Sequence, residues 1–159
     1  MNWSALTSLF RKLGARDPEQ WAGSQLSEGI PQLERFLFLR QAWRLVLTED
    51  RHDWIKQTIE QSKRHPKEPY AGAGHALDRL TQAGASDQDL TDLVRAMQAE
   101  LLFGLCYLLE DPGLTEPEVE SVTWWLFRTN EEGEPVAPIS GLHESVLETD
   151  PTGREMRPK

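Results

Sequence analysis

The chain has 159 residues, with 17 Lys and Arg against 26 Asp and Glu, and a net charge of −9. That length suits one domain with a core of its own, and a hydrophobic fraction of 38% with six tryptophans and five phenylalanines separates it from disordered chains. The charge is uneven, +2 over residues 1–80 (12 basic, 10 acidic) and −11 over 81–159 (5 basic, 16 acidic), which argues against nucleic acid and anionic membrane surfaces and leaves a basic protein as the matching partner.

Met1-Asn2-Trp3-Ser4 is uncharged and lacks the form of a secretory leader. The apolar run 101–109 is far short of the ~20 residues a spanning helix needs. Both points favour a soluble, cytoplasmic protein. Cys106, the single cysteine, cannot form an intrachain disulfide and reads as a small buried hydrophobe.

Trp3, Leu6, Phe10 and Leu13 fall at helical spacing and predict a first helix over 2–13, ended by Gly14. Asp17-Pro18 has the form of an N-cap followed by proline at the first helical position. Gly23 and Ser24 predict that the helix it opens is short. Residues 31–48 predict a stronger helix, apolar on most sides through Leu33, Phe36, Leu37, Phe38, Leu39, Trp43 and Leu47, with Arg40 and Arg44 one turn apart. Further helices are expected over 50–64 and 71–83. Gly84 closes the latter, and Ser86 caps the next with Asp87 and Asp89 in its first turn. The helix from 87 to about 110 has the strongest periodicity, through Leu90, Leu93, Val94, Met97, Leu101, Leu105 and Leu108. Its second half is apolar on all sides and is expected to be the buried axis of the domain.

Beyond Pro112-Gly113 the character changes. Val122 to Thr129 is rich in β-branched and aromatic residues, Asn130-Glu131-Glu132-Gly133 is a turn sequence, and Val136 to Ile139 can return as an edge strand, restricted by Pro135 and Pro138. The fold class expected is mainly α: a bundle of about five to six helices with a small C-terminal β-hairpin and an irregular tail over 150–159. The parts expected are a helical body over 1–112, a hairpin-bearing segment over 113–149 and the tail, within one domain.

The sequence carries no catalytic signature. Glu49-x-x-His52 is the one Glu-x-x-His pair, where a carboxylate di-metal site needs two such pairs and two further glutamates, so no metal and no cofactor are expected. Gly72-Ala73-Gly74 follows a polar, proline-bearing loop rather than a strand, and reads as small residues at a close helix crossing rather than a phosphate loop. Glu100, set within apolar residues, is expected to pair with Arg40 or Arg44 if it is buried. His143 with Glu144 or Asp150 is the one set that resembles acid–base chemistry, against a plain reading as a solvated polar segment with Glu148, Arg154 and Glu155.

Trp124 and Trp125 are adjacent, so in a ladder one faces the body and the other is exposed. With Glu131, Glu132 and Glu134 they form the expected binding surface. Three functions follow in order: a non-catalytic acidic protein-binding module (an inhibitor, immunity-type or adaptor protein), a small enzyme using His143, and a small-ligand sensor with a pocket between central helices.

Overall fold

A computed structural model describes residues 1–158. The chain is mainly α with one small antiparallel sheet near the C-terminus. Among the described residues the helices are α1 (Trp3–Leu13), α2 (Pro18–Glu28), α3 (Gln32–Ala42), α4 (Asp53–Arg64), α5 (Ala71–Gln82), α6 (Asp87–Leu108) and the single turn α7 (Leu142–Ser145). A 3-10 turn covers Trp43–Leu45, and the strands are β1 (Phe127–Thr129) and β2 (Pro135–Pro138). No helix among these residues is long and apolar enough to cross a membrane. The chain divides into two compact units, one made of Met1–Leu45 with the chain from Glu100 onward, the other of Val46–Ala99.

The first unit begins with a capped helix. The Asn2 side chain accepts from the Ala5 backbone N–H at 2.9 Å, and Gly14 closes α1 at φ +91°, where a Cβ would be strained. Leu6 and Phe10 face inward and meet Trp21 and Phe36. The Phe10 ring lies 5.9 Å from Trp21 and 5.7 Å from Phe36, and Trp21 and Phe36 meet edge to face at 5.3 Å.

Asp17 caps α2 by accepting from Gln20 N–H at 3.1 Å. This helix runs straight through Gly23 and Ser24 to Glu28, longer than their presence predicts. The reason is tertiary: Ser24 Oγ accepts from the Gln32 side chain at 2.8 Å and Gln25 Oε1 from Leu33 N–H at 2.9 Å. Two side chains of the second half of α2 thereby satisfy the start of α3, and this outweighs one glycine's propensity cost. Conversely, α3 ends at Ala42 rather than near residue 48, and Leu45 is left exposed.

The hairpin is shorter than its β-prone sequence. Only Phe127–Thr129 pairs, with Phe127 opposite Pro138 and Arg128 opposite Ala137, and a bulge follows Arg128. Two prolines in one strand limit the ladder bonds available, so pairing stops early. The turn is tied by Glu134 N–H donating to Asn130 Oδ1 at 2.8 Å, with Gly133 in the left-handed region. An ion pair of 3.5 Å from Arg128 to Glu34 attaches the hairpin to α3.

The last residues fold into turns against Arg16, in the link between α1 and α2. Asp150 is 2% exposed and accepts from Thr152 N–H, Thr152 Oγ1 and Met156 N–H. The Arg16 guanidinium donates to the carbonyls of Gly153 and Glu148, each at 2.6 Å.

In the second unit α4 and α5 pack on each other. Ile55, Leu77 and Leu90 form its core, with Trp54, Ile59 and Ala85 around them. The crossing is close because Gly74 faces Ser62 and the Thr58 carbonyl so tightly that a Cβ has no room, while Gly72 faces open space. Ser86 Oγ caps α6 by accepting from Asp89 N–H at 3.0 Å. Polar groups then decide which side of α6 faces in. Thr91 Oγ1 accepts from Trp54 Nε1 and contacts His52 Nδ1, Arg95 donates to the Leu47 carbonyl, and Gln98 accepts from Leu47 N–H.

Candidate interaction surface

The expectation that the second half of α6 is a buried axis is overturned. Leu101 is 73% exposed, and Phe103, Leu105, Tyr107 and Leu108 are exposed as well. The inward stripe is Thr91, Arg95, Ala99, Leu102 and Cys106, at spacings of three and four. Small and polar residues therefore share the inner side of this helix with Leu90 and Leu102, and most of its large apolar residues lie outside. Gly104, in the middle of the outer stretch, would meet nothing within 4 Å if it carried a Cβ.

Glu100 shares the outer side, so the buried pair with Arg40 or Arg44 does not form. Glu100 is exposed. Arg44 bonds Gln41 at 2.9 Å. Arg40 and Arg44 instead line a cavity of about 520 Å³ in the first unit, with Trp21, Phe36, Trp43 and Glu148. In the first unit Arg35 is buried, 5% exposed, and it donates to the Ser140 carbonyl at 2.8 Å and pairs with Glu144 at 3.5 Å. Desolvation lowers its pKa from the ordinary arginine value, against the opposing pull of Glu144, Glu110 and Glu148. Sequence periodicity missed it because Arg35 lies on α3 and its acceptors lie more than a hundred positions later.

The trio His143, Glu144 and Asp150 is not brought together as one site. Glu144 faces Arg35, and Asp150 organises the final turns. The carboxylate nearest His143 is Glu110, with Oε2 at 3.8 Å from Nδ1, too long for a hydrogen bond. Glu110 Oε1 accepts from Leu142 N–H at 2.7 Å, and the imidazole stands edge-on to Tyr107 at 5.2 Å and Phe103 at 6.0 Å. Cys106 lies on the inner side of the same helix, its thiol pushed up to about 11 by burial and by Glu110. A thiol so held stays protonated near neutrality and is a poor nucleophile. His143 lies between these aromatic edges and the Glu110 carboxylate, which is itself bonded to backbone. The signal for Glu110 was its place just past the end of α6, which periodicity cannot connect to a residue in another element.

Both tryptophans lie in the extended lead-in to β1, outside the ladder, so the alternation expected of a strand does not apply. Trp124 is 38% exposed and donates its indole N–H to the Leu108 carbonyl at 2.7 Å, capping the end of α6. Trp125 is 51% exposed. Glu131, Glu132 and Glu134 are all exposed at the hairpin turn, with Glu134 also accepting from the Asn130 side-chain amide at 3.1 Å.

Glu148, half-buried beside the cavity, has its pKa raised by burial, with Asp17 and Glu155 adding to the rise and Arg16 opposing it. Its folded pKa lies above the unfolded one, so the fold disfavours the ionised form. The stabilising contribution is complete below about 4.3, the ordinary glutamate value, and is lost as pH rises through the folded pKa. Glu148→Gln removes the titration. Urea-unfolding midpoints of the variant should gain on those of the wild type as pH rises from about 4 to about 7. A difference that stays flat with pH would show that Glu148 titrates alike in both states.

Among the described residues no group of three or more His, Cys, Asp or Glu side chains is placed to hold a metal ion. Set beside known proteins, the chain matches no family model, no curated protein and no solved structure.

Proposed function

We propose that this chain is a non-catalytic, acidic protein-binding module whose partner is a basic protein, anchored on Trp125. The exposed Trp125 indole carries the reading. It stands at the foot of a hairpin whose turn holds Glu131, Glu132 and Glu134. Tryptophan is enriched among residues that dominate binding energy, because one ring removes a large apolar area from water at little conformational cost. Residues 110–155 hold 12 acidic side chains against Arg128 and Arg154, a field that speeds encounter with a cationic patch.

The test is capture from the native host at low and high salt, with wild type and with Trp125→Ala. The captured partner should be basic, and its retention should fall as salt rises. Trp125→Ala should weaken binding by about 2 kcal/mol, roughly thirtyfold in Kd, with an unchanged circular dichroism spectrum and melting curve. Neutralising Glu131, Glu132 and Glu134 together should mainly slow association. Capture that is indifferent to salt and to Trp125→Ala would reject the surface.

A further inference from the structure

We infer that the cavity between the α1–α2 link, α3 and the final turns is a binding site for a small aromatic acid with a single carboxylate, which Arg40 reads. The residues that line it all belong to the first unit. Trp125 is not among them, so the site is separate from the surface proposed above.

Arg40 carries the inference. It is half-buried and lines the cavity, yet among the described residues its side chain has no hydrogen bond and no ion pair. The other arginines of the lining are engaged. Arg16 donates to the Glu148 and Gly153 carbonyls, and Arg44 donates to Gln41. A guanidinium drawn partly out of water without an acceptor costs free energy. A carboxylate offsets that cost, because the planar fork of the guanidinium meets both carboxylate oxygens at once.

The acidic residues of the lining do not play this part. Asp17 caps α2, Asp150 takes the donors of its own turn, and Glu155 pairs with Arg157 at 2.8 Å. The charges that act on Glu148 are those of Arg16, Asp17, Glu155 and Arg35, and Arg40 is not one of them.

The aromatic lining fixes the rest of the ligand's chemistry. Trp21 and Phe36 are held by each other and by Phe10. Trp43 is held by donating to the Val146 carbonyl at 3.0 Å and to Thr149 Oγ1 at 3.1 Å. With its indole N–H so spent, Trp43 offers only apolar contact. Aromatic residues fixed in advance favour a flat ring and lose little freedom when it binds. The volume, about 520 Å³, falls in the range of small-molecule sites.

The acidic edge sets the ligand's charge. Burial, with Asp17 and Glu155, already raises the Glu148 pKa. A second anionic group on the ligand would add to that repulsion. A monocarboxylate therefore fits, and a dicarboxylate or a phosphate does not.

Isothermal titration calorimetry of the full chain with benzoate, naphthoate and indole-acetate tests this. At least one acid should bind saturably, one molecule per chain, with a Kd below about 1 mM. The neutral amide of that acid, and a dicarboxylate on the same ring, should each bind at least tenfold more weakly. Arg40→Gln should weaken the acid at least tenfold with an unchanged melting curve. Arg40→Lys keeps the charge but loses the fork, and should fall between Arg40→Gln and the wild type. Arg51→Gln removes the same charge in the second unit, where Arg51 pairs with Asp53, and should leave binding unchanged. Glu148→Gln should bind the acid as tightly as the wild type or more tightly. The inference is overturned if none of the three acids binds, if the amide binds as well as its acid, or if Arg40→Gln binds like the wild type. Binding lost in Glu148→Gln but kept in Arg40→Gln would also overturn it, and would assign the cavity to a cation.

Discussion

Phe10→Ala is expected to destabilise the protein by about 3–5 kcal/mol, the largest single loss among the hydrophobic positions discussed. Phe10 is fully buried, meets both Trp21 and Phe36, and sits on a helix fixed at each end by Asn2 and Gly14. Truncation removes the transfer energy of a phenyl ring and two aromatic contacts. It leaves a void that the rigid indole of Trp21 cannot close. Leu101→Ala is the contrasting variant. Periodicity alone assigns it a core loss, yet its side chain is already mostly in water, so its cost should stay within roughly 0.5 kcal/mol. Urea unfolding measures both. A loss at Leu101 comparable to that at Phe10 would mean that the α6 face is covered in the folded chain.

The second large effect pairs two glycines in α5. Gly74→Ala should lose about 1–3 kcal/mol or more, as overpacked sites do. The new methyl would lie inside the contact distance of the Thr58 carbonyl and of Ser62. The Ser62 hydroxyl could rotate only by giving up its 3.0 Å bond to Thr58 O, and the carbonyl belongs to the α4 backbone. Helix α4 must therefore move away from α5. Two positions earlier, Gly72 is exposed and faces nothing. Gly72→Ala should raise stability by about 0.5–1 kcal/mol through helix propensity alone. Thermal melts of the two variants should shift in opposite directions. Shifts of the same sign would place the tight crossing elsewhere.

The legible parts of this fold were those governed by nearest neighbours in sequence. Asp17 and Ser86 cap helices, Gly14 and Gly84 end them, and Leu6 and Phe10 point inward as their spacing predicts, while Trp3 of the same stripe is exposed. The close packing read from Gly72-Ala73-Gly74 is real but belongs to Gly74 alone, because only that position faces α4. What sequence could not give was orientation. A helix apolar on every side offers no internal clue to which side faces in, and for α6 the choice follows hydrogen bonds between Thr91, Arg95 and Gln98 and groups at positions 47, 52 and 54. The same limit hid the site chemistry. Arg35, Glu110 and Arg16 acquire their partners across long stretches of chain. Glu100, conspicuous among leucines, turns out to point away from the buried stripe.

The grip of Arg16 on Glu148 and Gly153 joins positions 132 and 137 apart in the chain. Trp43 likewise donates its indole N–H to Val146, 103 positions on. During synthesis these contacts cannot close until the ribosome has released the final turns. By then the intervening Val46–Ala99 stretch, whose contacts are local, has had time to order. A long loop closure of this kind is entropically slow. The aromatic cluster of α1, α2 and α3 joins residues much nearer in sequence, so it is expected to form before these closures do.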